Sequence, residues 1–179
     1  TGTSIEGMNT LETSGYNTGL LTKYTIQGEK VWTVLLGTAT VVDTNINVAS
    51  NYVDSAGNIY VSGTVWTNAS AATFESYSIP GGSSRRLFVT KYNSAGTKLW
   101  TTVKNATTAT GGYLTVDSSG NSYIAGTVLA PSMDSFTNTG WTDDGLPLVK
   151  FDTNGNWVST RCFCWKLCKR KLGRDRSLF

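Results

Sequence analysis

Short runs in which apolar and polar residues alternate recur along the whole chain. Ile59-Tyr60-Val61-Ser62-Gly63-Thr64-Val65 and Leu87-Phe88-Val89-Thr90-Lys91-Tyr92 are two of them, each bounded by Gly, Ser, Asn or Asp. Most positions in these runs are β-branched or aromatic, and only three prolines occur in 179 residues. Runs of this length and composition predict strands joined by turns. No apolar run approaches the roughly 18 residues of a membrane-spanning helix; Val31 to Gly37 is typical of the longest.

The runs belong to a repeat, and a repeat decides the architecture before any single element does. Asp54-Ser55-Ala56-Gly57-Asn58-Ile59-Tyr60-Val61-Ser62-Gly63-Thr64-Val65 returns 63 residues later as Asp117-Ser118-Ser119-Gly120-Asn121-Ser122-Tyr123-Ile124-Ala125-Gly126-Thr127-Val128. Gly2-Thr3 matches the end of an earlier copy. A second block runs Leu20-Leu21-Thr22-Lys23-Tyr24 and then Gly28-Glu29-Lys30-Val31-Trp32-Thr33. It returns as Phe88-Val89-Thr90-Lys91-Tyr92 with Gly96-Thr97-Lys98-Leu99-Trp100-Thr101, and more weakly as Leu148-Val149-Lys150-Phe151 with Gly155-Asn156-Trp157-Val158. In the third copy Ser159 stands where the others have Trp, and Trp157 comes two residues early. A two-residue shift keeps the side chain on the same face of a strand.

Each turn carries its own chemistry. In Asp-Ser-x-Gly-Asn and Asn-Ser-Ala-Gly-Thr a side-chain acceptor opens the turn, and Gly supplies the positive φ of a bulged hairpin. Two hairpins per repeat predict a four-stranded antiparallel meander. For the middle copy the strands fall at Leu87–Tyr92, Thr97–Val103, Tyr113–Val116 and Ser122–Val128. One such meander buries too little to be stable alone and must stack on its neighbours.

The pattern Asp-x-x-Gly-Asn-x-Tyr-x-x-Gly-Thr, followed by Lys-Tyr-Asn-x-x-Gly-x-x-x-Trp, resembles the bacterial β-propeller repeats known as SBBP repeats, over nearly all of residues 1–160. The resemblance implies an all-β fold of propeller blades, each of four antiparallel strands, in an incomplete ring of just under three blades. It implies repeat units at roughly 1–47, 48–110 and 111–160, and a bacterial envelope or secreted setting. Rings generally need about four to eight blades, so self-association or further blades are expected to close this one. A first residue of Thr1 reads as a processed chain or a piece of a longer one.

Charge is divided unevenly. The net charge is +3, yet residues 1–160 hold eight Lys/Arg and eleven Asp/Glu, and residues 161–179 hold seven Lys/Arg and only Asp175. All three cysteines (Cys162, Cys164 and Cys168) lie in that basic tail. Their spacing lacks a fourth zinc ligand. A one-nucleotide shift at Cys162 turns the tail, with suitable codons, into a Gly- and Ser-rich continuation of the repeat, so the tail is expected to be an out-of-frame or disordered segment. No nucleic-acid partner is expected.

The chain contains no histidine, which removes His-based acid–base catalysis and most zinc sites. No phosphate-binding glycine loop occurs. The Asp-x-x-Gly-Asn turns lack the alternating carboxylates and distal Glu of a calcium loop. Phe151-Asp152-Thr153-Asn154-Gly155-Asn156-Trp157 resembles a sialidase Asp-box but lacks its leading Ser and aligns with ordinary turns of the other copies. No metal or cofactor is expected. Trp32, Trp100, Tyr60 and Tyr123 recur in step with the repeat, and a repeat protein places such residues between adjacent sheets.

The non-repeating segments Ser4–Thr18, Trp66–Arg86 and Leu129–Pro147 are the places for function, since variable loops on a rigid scaffold are where binding concentrates. The candidate ligand-binding residues are Trp66, Tyr77, Arg85, Arg86, Trp141, Asp143 and Asp144, with Phe74 nearby. Aromatic and charged groups together suit a protein or glycan partner; the alternative is that these segments only cover the sheet edges. Asn68-Ala69-Ser70 and Asn105-Ala106-Thr107 fit the glycosylation sequon, a motif that is frequent by chance. An enzyme such as a glycosidase or lyase would have to draw on Asp143, Asp144, Glu75, Arg85 and Arg86. A purely structural spacer is the third class. The leading expectation is a non-enzymatic binding module.

Overall fold

A computed structural model describes residues 19–36, 44–67, 72–74, 77–79, 85–104, 109–128, 132–133, 136–137 and 146–163. These residues form strands and turns, and every strand pairing is antiparallel. The strands are β1 (Gly19–Tyr24), β2 (Lys30–Leu36), β3 (Thr44–Val53), β4 (Ile59–Thr67), β5 (Ala72–Phe74), β6 (Tyr77–Ile79) and β7 (Arg86–Tyr92). They continue as β8 (Lys98–Lys104), β9 (Ala109–Val116), β10 (Ser122–Val128), β11 (Ser132–Met133), β12 (Phe136–Thr137), β13 (Leu146–Phe151) and β14 (Trp157–Phe163). Gly2-Thr3, both glycosylation sequons, Cys164, Cys168 and the basic end of the tail lie outside the described residues.

Two four-stranded sheets follow one another, a middle sheet β3-β4-β7-β8 and a last sheet β9-β10-β13-β14, preceded by the β1-β2 hairpin. The four segments expected as one meander are all strands, but they divide between two sheets. β7 pairs with β4, from Ile59↔Tyr92 to Val65↔Arg86, and not with β9. Within the middle sheet, a Cβ on Gly63 would sit 2.0 Å from the carbonyl oxygen of Asn47 on the paired strand β3; between the sheets, Gly112 (φ 132°) of β9 lies against the Gly63 backbone. Ser62 donates its hydroxyl hydrogen bond to the Gly112 carbonyl. β9 lies over the face of the middle sheet instead of along its β8 edge. β14 runs to Phe163, three residues past the expected end of the repeats at 160, with Pro147↔Cys162 and Leu146↔Phe163 in register.

Stacking the sheets creates two cores. Leu36, with Leu21, Trp32 and Val34, packs on Ile46, Ile59, Val61, Val65, Phe88 and Tyr92 of the middle sheet. On its other side Leu87, Val89 and the half-buried Trp100 meet Ile124, Val149, Phe151 and Leu114 of the last sheet. β4 is accordingly buried on both faces along nearly its whole length, as expected of a central strand covered on two sides.

Candidate functional site

Each sheet has two unlike ends. At one end lie the short hairpin turns. Asp54 accepts backbone N–H bonds from Ala56 (3.0 Å) and Asn58 (2.8 Å), and Gly57 takes φ 79°. Asp117, Asn93 and Asp152 repeat those two bonds at 2.8–3.0 Å, with Gly120, Gly96 and Gly155 at φ 81–82°. The turn aspartates also accept from the amides of Asn58, Asn121 and Asn156, each at 2.9 Å.

The recurring tryptophans act on these turns, not deep in the core. Trp32 donates its indole N–H to the Ser94 carbonyl of the next sheet (3.2 Å), and its ring lies against Gly96, where a Cβ would come within 2.9 Å. Trp100 repeats the contact one sheet later, on the Thr153 carbonyl (3.0 Å) and against Gly155 (2.7 Å). Turn glycine and strand tryptophan are thus two halves of one device. Trp157 is different. A register irregularity between Lys150 and Phe151 falls inside the two-residue step, and a bulge interrupts alternation. The Trp157 ring accordingly lies 5.6 Å from the Lys104 ammonium of the preceding sheet, and its N–H goes to Thr160 of its own strand (2.9 Å).

A cleft of about 470 Å³ opens between the middle and last sheets at this turn end, lined by Tyr52, Asp54, Tyr60, Lys91, Asp117 and Thr153 among others. The Lys91 ammonium lies 4.8 Å from the Tyr60 ring centre, and the Tyr60 hydroxyl lies 3.4 Å from both Asp54 Oδ2 and the Gly120 carbonyl. Burial works to raise the Asp54 pKa, but hydrogen bonds from Asn58 and Ala56 and the charge of Lys91 outweigh it and leave the net value lowered. Asp117 is lowered chiefly by Asn121, and Asp152 chiefly by Asn156. Carboxylates held ionised in this way are poor general acids at neutral pH. The carboxylates in the cleft are already engaged in holding turns.

At the opposite end lie the segments that differ between repeats. The structure brings together Trp66, at the end of β4, and Arg85, just before β7: the guanidinium lies 4.4 Å from the indole centre. Between them the chain forms the β5–β6 hairpin, where a plain loop was expected. Phe74 and Ile79 are fully buried in the first core, and the Phe74 ring lies 4.9 Å from that of Phe88. Tyr77 is 39% exposed on this hairpin. Arg86 is 7% exposed, and desolvation lowers its pKa; its side chain is buried, unlike that of Tyr77. Trp141, Asp143, Asp144 and Glu75 lie outside the described residues.

Sequence reasoning did not single out the turn-end cleft or the Lys91–Tyr60 stack. Its signal was present, because Lys91 and Lys150 keep step with Tyr60 and Tyr123, and Lys150 stands 5.3 Å from the Tyr123 ring. The anchoring of Phe74 had no such signal, since it lies in a segment without a matching copy. Among the described residues, no group of three or more His, Cys, Asp or Glu side chains is placed to hold a metal ion. Nor, among them, is any helix long and apolar enough to cross a membrane. No protein-family model matches the chain, and no curated protein matches it.

Proposed function

We propose that this chain is part of a bacterial β-propeller of the SBBP-repeat type, a non-enzymatic module of the envelope or secreted space that binds a protein or glycan. The binding end is the one carrying the variable segments, with Trp66, Arg85 and Tyr77 as its contact residues. One observation carries the reading. Successive sheets are joined by the same contacts, Trp32 on the 93–97 turn and Trp100 on the 152–156 turn, whereas the chain between second and third strands differs in each repeat. Constancy at one end supports a scaffold, and variation at the other supports recognition. An arginine stacked on tryptophan offers a flat apolar surface with a fixed positive charge, a combination enriched where partners are bound.

The test is a glycan array and a pull-down from bacterial envelope and host extracts, run in parallel with wild-type chain and with Trp66→Ala/Arg85→Ala. A partner retained by the wild type and lost by the double variant, with thermal unfolding little changed, is the expected result. Equal retention by both proteins overturns the assignment of the binding end.

A further inference from the structure

The repeat allows the faces of successive sheets to be compared position by position. On the middle sheet, Tyr60, Leu87 and Val89 are 0–2% exposed because the last sheet covers them. Their equivalents on the last sheet are Tyr123, Leu146 and Leu148, of which Leu146 is 50% exposed. Tyr113, in register with Ala125 on the same face, is 73% exposed. The polar framework of that face is nonetheless assembled: Tyr123 donates to Asp117 (3.0 Å) beneath Lys150, as Tyr60 lies by Asp54 beneath Lys91.

The opposite face of the β1-β2 hairpin shows the reverse pattern. Leu20 (38% exposed) and Tyr24 (59%) occupy the places of Phe88 (1%) and Tyr92 (3%), which the first core buries in the middle sheet. The Thr22–Thr33 hydroxyl pair (3.1 Å) stands where Thr90–Thr101 (2.9 Å) does. Gly28 takes the same φ as the other turn glycines (87°), but a Cβ there would meet nothing within 4 Å, whereas Gly96 and Gly155 each lie under a tryptophan.

We infer that the outer face of the last sheet docks the outer face of the β1-β2 hairpin of a second copy of this chain, head to tail. The contact continues the two stacking interfaces already present within the chain, with one difference. Ser159, paired with Lys150 as Trp100 is with Lys91, leaves the partner's Gly28 turn without its tryptophan cap. A heterologous contact of this kind closes into a ring or propagates as a filament. It rests on the repeat that underlies the propeller reading and is independent of what the variable end binds.

Sedimentation of the full chain at up to about 100 μM tests it, a range that reports micromolar dissociation constants. The wild type is expected to assemble. Leu146→Asp and Leu20→Asp/Tyr24→Asp are each expected to be monomeric alone and to form a 1:1 dimer when mixed, because one intact interface survives in the mixture. Ser159→Trp is expected to lower the dissociation constant about tenfold, the scale of a buried tryptophan contact. A wild type that stays monomeric, assembly retained by either charged variant alone, a mixture that stays monomeric, or no tightening by Ser159→Trp overturns the proposal. Loss of assembly with Trp66-dependent binding intact would leave the binding reading standing.

Discussion

The turn end and the variable end of the middle sheet are built from the same strands and obey different rules. At the turn end an Asp or Asn, a glycine at positive φ and a tryptophan from the preceding sheet return in nearly the same geometry. At the variable end the chain leaves β4 and returns to β7 by a path with no copy elsewhere, yet Phe74 and Ile79 on that path are fully buried. Repetition therefore does not measure burial. What repeats is what one sheet must present to the next; what varies can still be anchored in the core, leaving only its outer residues, such as Tyr77, for other purposes.

The largest effect expected to break this comparison lies inside the middle sheet, where β4 crowds the backbone of its paired strand β3. Gly63→Val places side-chain atoms where even a Cβ would stand 2.0 Å from the Asn47 carbonyl. A backbone clash of this kind is expected to cost about 3 kcal/mol or more, above the usual range for overpacking, read as a fall in the urea midpoint. Phe74→Ala should cost about 3–5 kcal/mol by the same measurement if the variable segment is anchored. A loss below about 1 kcal/mol, the level of surface substitutions, would show that the segment only rests on the sheet.

The tryptophans sharpen the contrast further. Trp100→Ala is expected to cost about 3 kcal/mol, since it removes ring contact with the neighbouring turn and an indole hydrogen bond. Trp157→Ala should cost under about 1 kcal/mol, because its ring is 40% exposed and its hydrogen bond stays within one strand. Equal costs would mean that the cap contributes nothing of its own.

Acid provides the smallest and most diffuse test. Asp54, Asp117 and Asp152 have lowered pKa values in the folded chain. Their contribution is therefore present above the unfolded value of about 4 and is lost as pH falls through the folded values. Stability should decline below about pH 4, and the decline should be shallower in a triple Asp→Asn variant. Asn93 shows that an amide makes the same two backbone bonds, at 3.0 and 2.9 Å. An unchanged acid slope in that variant would assign acid sensitivity to other carboxylates.

Much of the turn end was legible residue by residue. The Asp-x-x-Gly-Asn spacing encodes its own bonds, because an Asx side chain reaches backbone groups two and four residues on without help from distant chain. Of the candidate residues, Trp66 and Arg85 meet, while Arg86 turns inward. Arg85 stands just before β7, whereas Arg86 is the first residue of that strand, which is buried on both faces. Which one faced the core depended on the pairing of Val65 with Arg86, a contact across 21 residues.

The sequence alone determined an all-β chain of antiparallel hairpins, where its turns lie, and that one sheet's features recur in the next. These follow from local backbone preferences and from periodicity, which need no knowledge of neighbours. Only the tertiary structure decided which hairpins share a sheet, that Trp32 and Trp100 cap turns of the following sheet while Trp157 does not, and that a cleft opens at the turn end. Each of these depends on contacts between residues remote in sequence, such as Trp32 on Gly96, Trp100 on Gly155 and Gly112 on Gly63, and such distances are set by packing.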